Sequence, residues 1–193
     1  IEEISEKTYQ DYITQNILNR LPTKEYIGFD IPALNHATGY HANNWFQNLV
    51  LGFLMDKGKM MYRADENWIG FNPFYNNGAP YGGIISSPKA LMRFCQAFLN
   101  GNETLLSRAL TSEMLGAQKT NNGTITEMCL GWFKGKLNGQ DYYCHAGGGG
   151  GYYSEIRLYP TLGYGSLIML NSSGMKDGRI LDNLDIEHLN NDG

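Results

Sequence analysis

Five consecutive glycines, Gly147 to Gly151, stand between His145-Ala146 and the alternating stretch Ser154 to Tyr159, and they limit what the surrounding chain can become. A phosphate-binding loop needs a strand before its glycines and a helix after them, commonly with a Lys that reaches the phosphates. Here a strand pattern follows and no Gly-Lys-Ser/Thr occurs, so the run is not a phosphate cradle. A flexible linker is excluded as well, because it would erase the register of the two strands it joins. Two readings stand: a β-bulge, or a place where another backbone or a substrate comes very close.

The flanks read as an antiparallel meander. Residues 129–137, the turn Asn138-Gly139 and residues 140–147 form a hairpin with the two-residue turn that strand twist favours. Pairing across that turn sets Cys144 opposite Phe133 rather than opposite Cys129. Residues 154–160 alternate polar and apolar, and residues 163–173 read as a buried strand; together they continue the hairpin as an antiparallel meander.

Upstream, helical patterns dominate. Tyr9, Tyr12, Ile13 and Ile17 share one helical face in residues 8–19, with Thr8 placed to cap and Asp11 three positions on. Ser87-Pro88 opens a second helix whose stripe is Leu91, Phe94, Cys95 and Phe98, with Gly101 ending it. Residues 112–116 form a short helix, and residues 178–190 close the chain with another, carrying Ile180, Leu181, Leu184 and His188. Residues 20–48 read as connections and short pieces, residues 48–56 as a short buried helix or strand, and residues 65–83 as a long loop. Helices followed by an antiparallel meander indicate an α+β fold, one domain with its antiparallel sheet flanked by helices.

Several functions are excluded. Fifteen basic against nineteen acidic residues, with no Lys/Arg cluster, do not suit a nucleic acid. No apolar run approaches the roughly 20 residues of a membrane span. Three cysteines fit neither a disulfide framework nor a C-x-x-C pattern and read as free thiols. His36 and His41 are separated by five positions and bracket Gly39, and His188 stands alone, so no metal site is expected. His145 by itself reads either as a satisfied histidine at a strand end or as a catalytic one.

A set of short segments decides more. "IEEISEKTYQDYITQNIL", "ATGY", "PYGGIISSPKALMRFCQAFLNG", "LLSRALTSEML", "LGWF", "HAGGGGGYYSEIRLYP" and "GSLIMLNSS" follow one another in the order found in the serine β-lactamase-like family. The chain resembles the C-terminal two-thirds of that family, which includes class C β-lactamases, D-alanyl-D-alanine peptidases and carboxylesterases. The resemblance implies the family's α+β fold, left incomplete because its N-terminal part is missing, with residues 1–193 as the C-terminal portion of a single domain. It implies no cofactor. It also implies a small-molecule acyl substrate, a β-lactam, D-amino-acid peptide or ester, hydrolysed through an acyl-enzyme.

Members of that family use a nucleophilic Ser in Ser-x-x-Lys, a Tyr-x-Asn, and a Lys-Thr-Gly or His-x-Gly on the strand lining the site. His145-Ala146-Gly147 matches the third element in its histidine form, with Gly151-Tyr152 at the family's spacing after it. By that register Gly148 contributes a backbone N–H to the oxyanion hole. The resemblance also implies that Gly147 keeps bulk away from the acyl group and that Ala146 and Gly149 line the substrate. By the same resemblance His145 is expected to tune the protonation of the family's Tyr and Lys or to hold a substrate carboxylate. Ala146 departs from the frequent Thr/Ser, which removes a hydroxyl used toward substrate carboxylates.

The first two elements are expected to lie upstream of Ile1, leaving these residues inactive alone. Ser86 to Lys89 and Ser173 to Lys176 match Ser-x-x-Lys literally, and Tyr75 to Asn77 matches Tyr-x-Asn. All three stand at the wrong place in the family order, and Ser86 precedes the helix that Ser87 caps, off the face of Lys89. The alternative is a non-catalytic peptidoglycan- or protein-binding module on the same fold, with the aromatics of residues 67–83 as stacking platforms or simply as a packed loop wall. Ile1 in place of Met, with no signal-peptide pattern ahead of the first helix, suggests a processed or truncated piece. A truncated piece exposes apolar surface, so self-association is expected. A periplasmic or extracellular location is implied by the resemblance alone.

Overall fold

The computed structural model describes residues 1–75, 77–99, 101, 103–173 and 180–191. In chain order its elements are α1 (Glu2–Ser5), α2 (Tyr9–Asn16), β1 (Ile27–Gly28), β2 (Tyr40–Ala42), α3 (Trp45–Leu54) and α4 (Lys57–Met60). Next come β3 (Met61–Arg63), β4 (Trp68–Phe71), α5 (Ala79–Gly82), β5 (Ile85–Ser86), α6 (Pro88–Gln96) and α7 (Arg108–Met114). The C-terminal part holds β6 (Phe133–Leu137), β7 (Gln140–Gly149), β8 (Tyr152–Tyr159), β9 (Tyr164–Leu170), β10 (Ser172–Ser173) and α8 (Ile180–Asn191). The chain is mixed α+β, with antiparallel sheets flanked by helices, apart from one short parallel pairing of β10 with β2.

The principal sheet is the four-stranded antiparallel meander β6-β7-β8-β9. Asn138 (φ 46°) and Gly139 (φ 81°) form the turn between β6 and β7, and the register places Cys144 opposite Phe133. All three thiols are free. One face of the sheet carries the core, where Leu158 joins Cys95, Phe98 and Leu99 from α6 and beyond, with Leu115, Cys129 and Trp132. The hydroxyls of Thr8 and Ser87 accept from the amides of Asp11 and Ala90, capping α2 and α6 as the sequence indicates.

Four local expectations change. The first helical segment stops at Asn16 and continues as a 3-10 turn over Leu18–Arg20, just ahead of Pro22. Residues 65–83 contain β4, which pairs with both β2 and β3; Gly70 sits under the Tyr62 ring, so its glycine serves cross-strand packing rather than a loop. Around residues 48–56 the chain is helical, but α3 is exposed rather than buried, with Trp45, Phe46 and Phe53 facing out. β9 lies at the edge of its sheet, where Ser166 is its buried side chain and Met169 is exposed. The C-terminal helix is described from Ile180; residues 178 and 179 lie outside the described residues. No described helix is long and apolar enough to cross a membrane.

Candidate active site

The glycine run divides into two parts with different reasons for lacking side chains. Gly147, Gly148 and Gly149 are ladder residues of β7, paired with Ser154, Tyr153 and Tyr152. Gly150 (φ 57°) and Gly151 (φ 83°) form the two-residue turn into β8. The register runs without interruption from Tyr143↔Leu158 to Gly149↔Tyr152, so the run is no bulge. At the turn, backbone does approach backbone: a Cβ on Gly151 would lie 2.5 Å from Gly39 C and Tyr40 N.

That turn is held by the "ATGY" segment. Tyr40 N donates to Gly151 O at 3.1 Å, and the Tyr152 hydroxyl donates to Ala37 O at 2.6 Å. Asn171 Nδ2 donates to Thr38 O at 3.0 Å, tying the same segment to the end of β9. The far tip of the longest hairpin is thereby fixed although five of its residues have no side chain.

The other side of β7 is open. β6 covers it only as far as Cys144, and among the described residues no strand pairs with that side from His145 to Gly149. Which backbone groups face the opening follows from the turns. Two-residue turns close both hairpins, so Leu137/Gln140 and Gly149/Tyr152 are pairs that exchange both hydrogen bonds. Alternation then points the N–H and C=O of odd-numbered β7 residues toward β8 and those of even-numbered residues toward β6. Beyond Cys144, Ala146 and Gly148 therefore direct their N–H and C=O groups out of the open edge.

His145 stands where that edge begins. Its Nδ1 is 2.8 Å from the carbonyl oxygen of Gly131, and its ring lies 6.1 Å from that of Phe133. A carbonyl only accepts, so Nδ1 carries the proton and the neutral ring keeps Nε2 as an acceptor. His145, Gly147 and Gly149 share one sheet face by alternation. A Cβ on either glycine would meet nothing within 4 Å, so the face beside the imidazole is free space. The five residues His145, Ala146, Gly147, Gly148 and Gly149 thus lie together on one exposed strand segment.

The remaining candidates do not join them. Ser86 is in β5, paired with Ile27, and Lys89 Nζ sits 3.9 Å from Glu25 Oε1 at the start of α6. Asn76 of the literal Tyr-x-Asn and residues 174–176 of the second literal Ser-x-x-Lys lie outside the described residues. His41 is buried with Nδ1 2.9 Å from Ser173 Oγ, and His188 stacks on Tyr164 at 4.2 Å. No group of three or more His, Cys, Asp or Glu able to hold a metal occurs among the described residues. Of the aromatics in residues 67–83, Phe71 is buried against Phe74, while Tyr75 and Tyr81 are exposed. A cavity of about 350 Å³ between Phe98, Arg108, Asp141, Tyr143 and Pro160 lies toward the opposite end of the sheet from the glycine turn.

A beta-lactamase family model matches residues 1–190. The chain belongs to the beta-lactamase family. No curated protein matches it. Among solved structures, D-amino acid amidase from Ochrobactrum anthropi SV3 superposes with a TM-score of 0.69 at 18% identity, over 100% of this chain and 55% of that one. The octameric penicillin-binding protein homologue from Pyrococcus abyssi gives 0.68 at 20% identity, over 98% and 39%. The penicillin-binding protein from Bacillus halodurans gives 0.61 at 18%, over 97% and 51%. At such identities the likeness is one of fold, and this beta-lactamase family chain spans about half or less of each neighbour's length.

What sequence reasoning missed lies behind the open edge. Buried Glu155, Arg157 and Asp185 form an ion cluster with half-buried Asp182 between β8 and α8. Strand alternation at 154–158 leads one to expect its polar side in water; the only hint otherwise is the i, i+3 spacing of Asp182 and Asp185 on the last helix.

Proposed function

We propose that these residues are the C-terminal portion of one β-lactamase-like domain and form the sheet-side wall of a serine acyl-hydrolase site. Gly148 donates its N–H to the oxygen of the carbonyl under attack, where negative charge develops as the tetrahedral intermediate forms. Ala146, Gly147 and Gly149 line the acyl group, and His145, held by Gly131, presents Nε2 beside it. The observation that carries this reading is the outward N–H of Gly148 on an uncovered strand edge, next to an oriented imidazole.

The nucleophile comes from polypeptide other than these residues. A Ser-x-x-Lys pair must share one helical face for the amine to take the hydroxyl proton as the oxygen attacks the acyl carbon. Ser86 and Lys89 do not meet that condition, since one is in a strand and the other in the first turn of the next helix. The substrate class that fits is an acyl compound with a second hydrogen-bonding group along the edge: a β-lactam, a D-amino-acid peptide or amide, or an ester. Copies of this chain also associate through the exposed face of α3.

The test has two arms. Residues 1–193 alone should neither hydrolyse a chromogenic cephalosporin nor label with a fluorophosphonate. Joined to a segment bearing Ser-x-x-Lys and Tyr-x-Asn in the family order, they should label. There Gly148→Pro, which removes the N–H on an open edge where proline is tolerated, should slow acylation about 100-fold or more. Labelling of the 193-residue chain, or an unchanged rate in the proline variant, refutes the assignment. Binding of a D-amino-acid peptide without acylation in the joined protein would favour the non-catalytic module.

A further inference from the structure

The open edge of β7 has a mechanical difficulty. From Gly147 to Gly149 it has neither side chains to lock it nor, among the described residues, a strand on its outer side. Glycine in a strand is also the residue that loses most backbone freedom on ordering. Its position must therefore be set from β8.

β8 supplies a built device for this. Tyr153 is the cross-strand partner of Gly148, and its Cδ2 lies 3.5 Å from where a Gly148 Cβ would be. The ring thus lies in van der Waals contact with the place a side chain would take, an aromatic resting on a strand glycine. The Tyr153 hydroxyl donates to Glu155 Oε2 at 3.1 Å. Glu155 Oε1 accepts from Arg157 Nε at 2.7 Å, and Arg157 Nη1 lies 2.6 Å from Asp182 Oδ1 and 3.5 Å from Asp185 Oδ2 on α8. The guanidinium also sits 4.7 Å from the centre of the Tyr142 ring. Asp185 is fully buried and accepts from Tyr159 Oη at 2.7 Å and Ser166 Oγ at 3.1 Å, so the far end of the chain of contacts is anchored on both β8 and β9.

We infer that Tyr153, tied through Glu155 and Arg157 to α8, is a positioning residue that holds the Gly148 edge in place. The functional meaning rests on the proposed role of Gly148; the mechanical statement does not. Because three carboxylates share one guanidinium, removing Arg157 would strand buried charge and unfold the region wholesale. Tyr153 is the position that separates local holding from general stability.

Hydrogen exchange on the 193-residue chain, followed by mass spectrometry, tests this without any substrate. The slow amides of residues 145–151 report the β7–β8 ladder at the edge, and those of residues 133–143 report the same sheet away from it. Tyr153→Ala should speed exchange in 145–151 about tenfold and leave 133–143 unchanged. Tyr153→Phe keeps the ring and loses the hydroxyl, and should give about threefold at the same place; it also serves if the alanine variant fails to fold. No change at 145–151, or an equal acceleration in both regions, overturns the inference. A local effect in a protein that never acylates would leave the positioning intact and reject the oxyanion role instead.

Discussion

His145 Nδ1 faces the carbonyl oxygen of Gly131 at 2.8 Å, and Gly131 holds that carbonyl in place from a left-handed conformation, φ 78°. The pair decides the tautomer, because the carbonyl can only accept. At neutral pH, nitrogen-15 spectra of the side chain should show the neutral His145 ring protonated at Nδ1, against the Nε2 form usual for exposed histidines. An Nε2-protonated ring would show that the contact is not a hydrogen bond and that Nε2 is not free to accept.

The two halves of the glycine run should respond oppositely to alanine. At Gly149 the backbone is extended and a Cβ would meet nothing within 4 Å, so Gly149→Ala should be neutral or stabilising by about 0.5 kcal/mol. Gly151→Ala adds a Cβ at φ 83°, 2.5 Å from Gly39 C and Tyr40 N, and should cost about 2 kcal/mol or more. Urea unfolding of the two variants checks this; equal effects would mean that the turn is not held against residues 37–40.

What the sequence makes legible and what it hides follow one physical line. The Asn138-Gly139 turn, the Cys144/Phe133 register and the caps at Thr8 and Ser87 depend on neighbours within a few residues, and the pattern shows them. β4 depends on strands that begin 28 residues before it and seven before it in the sheet, and its glycine disguises it as loop. The burial of Glu155 and Arg157 depends on α8, which follows after the whole meander. The glycines marked a candidate site but left the bulge and the close approach undecided, since only the uninterrupted register with Tyr152 to Leu158 distinguishes them.

Alkaline pH should weaken the fold. Burial pushes the Cys95 thiol from 9.0 up to about 12, and burial also raises Cys129 and Cys144. The Tyr159 phenol is raised by burial and by Asp185 beside it. Above pH 9 the unfolded chain loses the Cys95 proton while the native chain keeps it, so the unfolded state binds fewer protons and stability falls with rising pH. The contribution is intact below pH 9 and is lost progressively up to about pH 12, at roughly 1.4 kcal/mol per pH unit for one fully shifted group. The urea midpoint should be flat from pH 7 to 8.5 and decline by pH 10.5, less steeply in Cys95→Ala. A midpoint unchanged at pH 10.5 contradicts it.

The outward face of α3 should drive association. At 100° per residue, Trp45, Phe46, Leu49, Val50 and Phe53 fall within an arc of about 140°. Their exposures are 77%, 57%, 52%, 42% and 84%, so the whole stripe is in water. A monomer rarely leaves a contiguous apolar patch larger than a few hundred Å² uncovered. Two such faces brought together remove it from solvent on both copies, at roughly 25 cal/mol for each Å² of apolar surface buried. Sedimentation velocity should show a weight-average mass that rises with protein concentration. Phe53→Glu places a charge in the most exposed part of the stripe, where no fold contact is lost, and should shift the chain toward monomer without lowering its unfolding midpoint. A chain that stays monomeric at high concentration, or association undiminished in Phe53→Glu, removes α3 as the contact.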